Sequence, residues 1–130
     1  MLKAAPDITI IGEASNGIEA LKMVNDLCPD VLLLDMEMPG LHGLQVAQEL
    51  ESSGSEVVIL ALSAYKDKHY IMGVLATGAA GYLSKDELPE TIIAAIRGVA
   101  RGESGWISKN LAANLDLWLK QDGKQGAQIF

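Results

Sequence analysis

Asp35 is the residue whose position in this sequence points most directly to chemistry. It follows an all-apolar run at residues 31–34 and precedes a Pro-Gly turn at residues 39–40. Two later apolar runs end in side chains that complement a carboxylate, a hydroxyl at Ser63 and an ammonium at Lys85. These three groups suit phosphoryl transfer onto the carboxylate, in which the aspartate attacks phosphorus and the other two stabilise the transferring oxygens.

The elements that would position these residues alternate between strands and helices. Apolar and β-branched runs predict strands at residues 8–12, 31–34, 57–62 and 79–85. Apolar residues at helical spacing predict helices after Asn16-Gly17, after the turn at 39–40, over residues 67–77 and over residues 89–101. This alternation predicts βα units and a mainly parallel sheet. Because the carboxyl ends of parallel strands share one edge, we expect Asp35, Ser63 and Lys85 to meet there.

Composition narrows the class of protein. A chain of 130 residues is predicted to form one domain. Its formal net charge of −7 argues against a nucleic-acid surface. It contains no apolar run of about 18 to 20 residues, so no membrane span is expected. The single cysteine, Cys28, fits a reducing cytoplasm and is interpreted as a small core residue.

The order of these motifs resembles the receiver domain of bacterial response regulators, in its NarL/LuxR-type branch. The motifs are Asp-x-x-x-Pro-Gly from Asp35, a strand that ends at Ser63, and Gly-Ala-Ala-Gly-Tyr-Leu-x-Lys ending at Lys85. Supporting residues include the Pro-Asp at 29–30 and the Asn-Gly at 16–17, and the match runs over residues 4–108. The resemblance implies a flavodoxin-like (CheY-like) doubly wound parallel α/β sheet.

The resemblance also implies a role for each site residue. Asp35 would accept the phosphoryl group from a sensor histidine kinase, and Ser63 and Lys85 would pair with the phosphoryl oxygens. Tyr82 would be an aromatic switch that follows Ser63, with simple core packing as the alternative interpretation. Mg²⁺ would be held by Asp35 and by the backbone carbonyl of Glu37. Because only self-catalysed phosphotransfer and dephosphorylation are implied, an enzyme in the ordinary sense is not expected.

Two departures from the receiver pattern lead to further expectations. A complete receiver opens with another strand that ends in an acidic pair holding Mg²⁺, whereas residues 1–6 align with the tail of the next helix. The expected sheet therefore lacks its first strand, and its open slot predicts a homodimer or strand-exchanged oligomer. No helix-turn-helix pattern follows Gly105, so DNA binding by this chain itself is not expected.

The sequence predicts a division into a receiver domain at residues 1–108 and an amphipathic helix with a tail at residues 109–130. Trp106 and Trp118 are expected to pack that C-terminal helix onto the domain.

Other sites on similar sheets fit less well. Cobalamin-binding domains use Asp-x-His-x-x-Gly in the same loop, and the corresponding residues here are Asp35, Glu37 and Gly40. A glutamate cannot replace the cobalt-ligating imidazole. The glycines at residues 12–17 are a poor match to a dinucleotide-binding loop. No histidine is positioned to act as the base of a hydrolase.

Two functional hypotheses follow. The first is a cytoplasmic phosphorelay receiver module that accepts a phosphoryl group on Asp35 and regulates an output, expected to be transcription, in its parent protein. The alternative is a phosphorylation-incompetent, receiver-like interaction or dimerisation domain that lacks the metal site.

Overall fold

Strands and helices alternate in the computed structural model, which describes residues 6–37, 42–64, 68–109 and 111–112. The elements are α1 (Gly17–Leu27), β1 (Val31–Asp35), α2 (Gly43–Ser52), β2 (Val58–Ser63), α3 (Lys68–Ala76), β3 (Gly81–Ser84), α4 (Pro89–Ala100) and β4 (Trp106–Ile107). The four strands form one parallel sheet in the order β1-β2-β3-β4. The predicted parallel α/β architecture is therefore confirmed. The predicted C-terminal helix and tail fall almost entirely outside the described residues.

The two faces of the sheet carry separate apolar cores. Alternate residues of a strand point to opposite faces. Leu34, Ala61 and Tyr82 therefore join one cluster, which packs against α1, α2 and α3. Leu60 and Leu83 join the other, which packs against α4. Helices on both faces make the fold doubly wound, and none of the helices described is both long and apolar enough to cross a membrane.

The first helix has a cap at each end, and the second cap corrects one prediction. At the start, the Asn16 side chain accepts a hydrogen bond from the backbone N–H of Glu19 at 2.9 Å. At the end, Cys28 adopts the left-handed conformation with φ of 47° and its N–H donates to the Val24 carbonyl. The interpretation of Cys28 as a core residue is wrong, because this capping position turns the thiol into solvent.

The strand predicted at residues 8–12 is absent from the described structure. Strand formation needs a neighbouring backbone to take its N–H and C=O groups, and the described residues place no strand beside this segment. Ile10 and Ile11 are consequently exposed. The segment is held instead from its start, where Asp7 makes a two-pronged ion pair with Arg97 of α4 at 2.7 and 2.8 Å.

A groove of about 620 Å³ separates this segment from β1. It is lined by residues 7–14 on one side, β1 on the other, and side chains from α1 and α4. Within the described parts of the chain β1 pairs only with β2, so its second edge faces the groove. All but one of the β1 residues are only partly buried, whereas every residue of β3 is buried.

The short strand β4 was not predicted, and it contains Trp106. Trp106 pairs with Gly81 of β3 in parallel register, and the helix that it was expected to pack lies almost entirely outside the described residues. Glycine at two positions allows this close approach. A Cβ on Gly98 would lie 2.5 Å from the Trp106 indole nitrogen, and one on Gly81 would overlap the Trp106 carbonyl. Trp118 lies outside the described residues.

Candidate functional site

Three parallel strands end at one edge of the sheet and bring the candidate residues there. Asp35 is the last residue of β1, Ser63 is the last residue of β2, and Lys85 directly follows β3. Backbone hydrogen bonds continue past the strand ends, from Met36 N to the Leu62 carbonyl and from Lys85 N to the Ser63 carbonyl, both at 3.0 Å. The ladder therefore fixes the backbone positions from which these side chains project.

Asp35 and Lys85 form an ion pair at this edge. The Lys85 ammonium lies 2.9 Å from Asp35 Oδ1, and both side chains are partly exposed. The same oxygen accepts a hydrogen bond from the backbone N–H of Glu37 at 2.9 Å. The hydrogen bond with Asp35 raises the pKa of Lys85 above its usual range, with a smaller contribution from Glu37. Lys85 is therefore a cation at neutral pH, and Asp35 Oδ1 is engaged by two donors.

The Glu37 side chain lies at the centre of the cluster. Its Oε2 accepts a hydrogen bond from the Ser63 hydroxyl at 2.9 Å. Its Oε1 accepts from the backbone N–H of Ala64 at 2.8 Å and lies 3.3 Å from the Lys85 ammonium. Sequence reasoning missed this side chain, because only the Glu37 backbone carbonyl was assigned a role. The sequence places a glutamate two residues beyond the strand-end aspartate, but the spacing does not specify the rotamer that brings its carboxylate to Ser63.

Tyr82 belongs to the apolar core beneath this edge of the sheet. Its side chain is fully buried in the core on the α1–α3 face of the sheet. It stands on the same face of the sheet as Ser63, which is itself buried at the end of β2. The position is that of a core residue, and the role of Tyr82 as a switch stays a prediction.

The donor set at this edge does not fit a Mg²⁺ site as the structure arranges it. Mg²⁺ needs near-octahedral oxygen coordination with short bonds. Asp35 Oδ1 and both carboxylate oxygens of Glu37 instead accept hydrogen bonds. Lys85 places a positive charge beside both carboxylates. Among the described residues no group of three or more His, Cys, Asp or Glu side chains is arranged to hold a metal ion.

Comparison with known proteins gives a consistent result. Residues 1–97 match the family described as the response regulator receiver domain. The nitrate/nitrite response regulator protein NarL of Escherichia coli K12 is 37% identical over 118 residues, which cover 88% of this chain and 55% of that protein. The transcriptional regulatory protein LiaR of Bacillus subtilis is 36% identical over 108 residues, which cover 83% of this chain and 51% of that protein. The chain thus spans about half the length of these curated relatives.

A solved structure extends the likeness to three dimensions. The signal receiver domain of a NarL response regulator from Mycobacterium tuberculosis superposes with a TM-score of 0.75 at 35% sequence identity. The superposition covers 78% of this chain and 82% of that one. The sheet and helices described above therefore have the arrangement of a known receiver domain.

Proposed function

The chain belongs to the response regulator receiver family, and on that premise we propose that Asp35 accepts a phosphoryl group from a sensor histidine kinase. The observation that carries the proposal is the 2.9 Å ion pair between Asp35 and Lys85 at the carboxyl edge of the sheet. The Ser63 hydroxyl and the Ala64 N–H are joined to the same cluster through Glu37. A nucleophilic carboxylate thus has a cation and two hydrogen-bond donors within one site.

The transfer step uses these groups in distinct ways. Asp35 Oδ2 attacks the phosphorus of a phosphohistidine, because both described contacts of Asp35 engage Oδ1. A P–O bond to Asp35 forms as the P–N bond breaks, and its electron pair leaves with the imidazole. Lys85 stays protonated and balances the charge on the transferring oxygens, to which Ser63 and Ala64 donate hydrogen bonds.

We propose a wider role for the parent protein on the basis of its relatives. LiaR is named as a transcriptional regulatory protein, and a transcriptional output is proposed here by analogy. The module would act in the cytoplasm, where its kinase partner exposes a phosphohistidine. DNA binding by this chain itself is not proposed, because the chain is acidic with a formal net charge of −7.

Intact mass spectrometry after incubation with acetyl phosphate and MgCl₂ tests the proposal. We expect one added phosphoryl group, and we expect hydroxylamine to remove it because an acyl phosphate reacts at its carbonyl carbon. A serine phosphate would survive that treatment. A folded sample that gains no phosphoryl group, or one whose adduct resists hydroxylamine, would contradict the proposal.

A second candidate is a receiver-type interaction domain that accepts no phosphoryl group. The second edge of β1, which borders the 620 Å³ groove and pairs with no other described strand, favours it, because an unpaired strand edge can pair with a second copy of the chain. Such a protein would form a dimer by light scattering over a wide concentration range and would show no acetyl phosphate adduct. A strict monomer that becomes labelled would exclude this candidate.

A further inference from the structure

We propose that the Glu37 carboxylate is an internal competitor of the phosphoryl group. In the unphosphorylated protein it takes the hydrogen bonds and the positive charge that the transferred oxygens require. The inference rests on the proposed function, because it concerns the same donors at the same edge of the sheet. It makes Glu37 a positioning residue that controls access to those donors.

The geometry of the Glu37 side chain carries this inference. Its two oxygens accept from three donors contributed by two different strand ends. Oε2 takes the Ser63 hydroxyl at 2.9 Å, and Oε1 takes the Ala64 N–H at 2.8 Å and faces the Lys85 ammonium at 3.3 Å. A hydroxyl, a backbone N–H and an ammonium around an anionic group form an oxyanion site. The chain fills that site with its own carboxylate.

Charge explains why the two occupants exclude each other. With Glu37 in place, the Lys85 ammonium is shared between two carboxylates. A phosphoryl group on Asp35 would add further negative charge beside the Glu37 carboxylate, and the two negative charges would repel each other. Glu37 can leave, because its side chain is 21% exposed and lies at the solvent edge of the sheet. Phosphoryl transfer therefore requires the Glu37 side chain to rotate into water and to break its contacts with Ser63, Ala64 and Lys85.

Binding of inorganic phosphate measures this competition without any covalent step. The background is Asp35→Asn, in which no acyl phosphate can form. We expect Glu37→Ala in that background to lower the dissociation constant for phosphate about tenfold or more, because charge-assisted hydrogen bonds become available to the anion. The readout is the backbone amide resonance of Ala64 during a phosphate titration. Glu51→Ala, which removes an exposed carboxylate from the end of α2, is the matched control and should change nothing.

Glu37→Gln provides a second variant of nearly the same size. It keeps an oxygen that can accept a hydrogen bond from Ser63 or Ala64 but loses the charge that faces Lys85. Its phosphate affinity should therefore fall between those of the Asp35→Asn protein and the Glu37→Ala variant in the same background. It also keeps the test decisive should Glu37→Ala fail to fold. Equal phosphate affinity in the parent and in every folded Glu37 variant would overturn the proposal, as would an Ala64 amide that does not respond.

The two proposals can fail separately in these measurements. Tighter phosphate binding in the Glu37 variants together with no acetyl phosphate adduct would uphold the competition and reject the phospho-acceptor role. Normal labelling at Asp35 together with unchanged phosphate binding would uphold the phospho-acceptor role and reject the competition. If both proposals hold, the Glu37→Ala variant with Asp35 intact should acquire its phosphoryl group about tenfold faster than the unsubstituted chain.

Discussion

Asp35→Asn is expected to abolish the phosphoryl adduct completely. The asparagine Oδ1 can still accept the hydrogen bonds that Asp35 Oδ1 receives from the Glu37 N–H and the Lys85 ammonium, at 2.9 Å each. The local structure should therefore persist. An amide lacks the second anionic oxygen that attacks phosphorus, so phosphoryl transfer should be lost. Intact mass after acetyl phosphate treatment measures the loss directly.

Asp86→Asn is the matched control for that experiment. Asp86 is an exposed acid at the same edge of the sheet, and its backbone N–H donates to the Ser84 hydroxyl at 3.2 Å. Its side chain has no described contact with the cluster around Lys85. Labelling of the Asp86→Asn variant should match that of the unsubstituted chain. A phosphoryl adduct that persists in Asp35→Asn, or one that is lost in Asp86→Asn, would show that the acceptor is a residue other than Asp35.

Leu60→Ala is expected to cost about 2–5 kcal/mol of the free energy of unfolding. Leu60 is fully buried on β2, an interior strand of the sheet, and packs in the cluster against α4. Truncation removes its apolar contacts and leaves a cavity between the sheet and the helix. A small domain has a total stability of about 5–15 kcal/mol, so the loss is a large fraction of the whole. Urea denaturation followed by circular dichroism measures it.

Leu88→Ala makes the same chemical change at an exposed position. Leu88 precedes α4 and is 65% exposed, so its truncation should alter the free energy of unfolding by less than about 0.5 kcal/mol. The difference between the two variants isolates burial from side-chain type. Similar losses in both would show that Leu60 does not occupy the core described here.

The sequence was informative where a local pattern and the tertiary structure agree. The runs that became β1, β2 and β3 are apolar because both faces of the sheet are covered, and turn residues bound them. The convergence of Asp35 and Lys85 follows from the parallel topology alone. The start of α1 after Asn16 was equally predictable, because asparagine is a common helix cap and its side chain accepts a hydrogen bond from the helix that follows it.

The remaining features depend on partners that local patterns do not reveal. The residues at 8–12 have the β-branched composition of a strand, but the groove separates them from β1, and no described strand pairs with them. The strand β4 has only two residues, too few for any periodicity. The contact between Glu37 and Ser63 joins residues 26 positions apart. It depends on a rotamer, which sequence spacing does not encode.

The open edge of β1 also determines how its backbone amides exchange hydrogen with deuterated water. Amides along a parallel strand point alternately to either side, and the Met36 N–H donates to the Leu62 carbonyl of β2. The Leu34 amide therefore faces β2 as well, whereas the amides of Leu33 and Asp35 face the groove. Neighbouring amides in one strand should exchange at very different rates. Slowed exchange at Leu33 alongside unchanged exchange at Leu34 would register any segment that pairs with this edge.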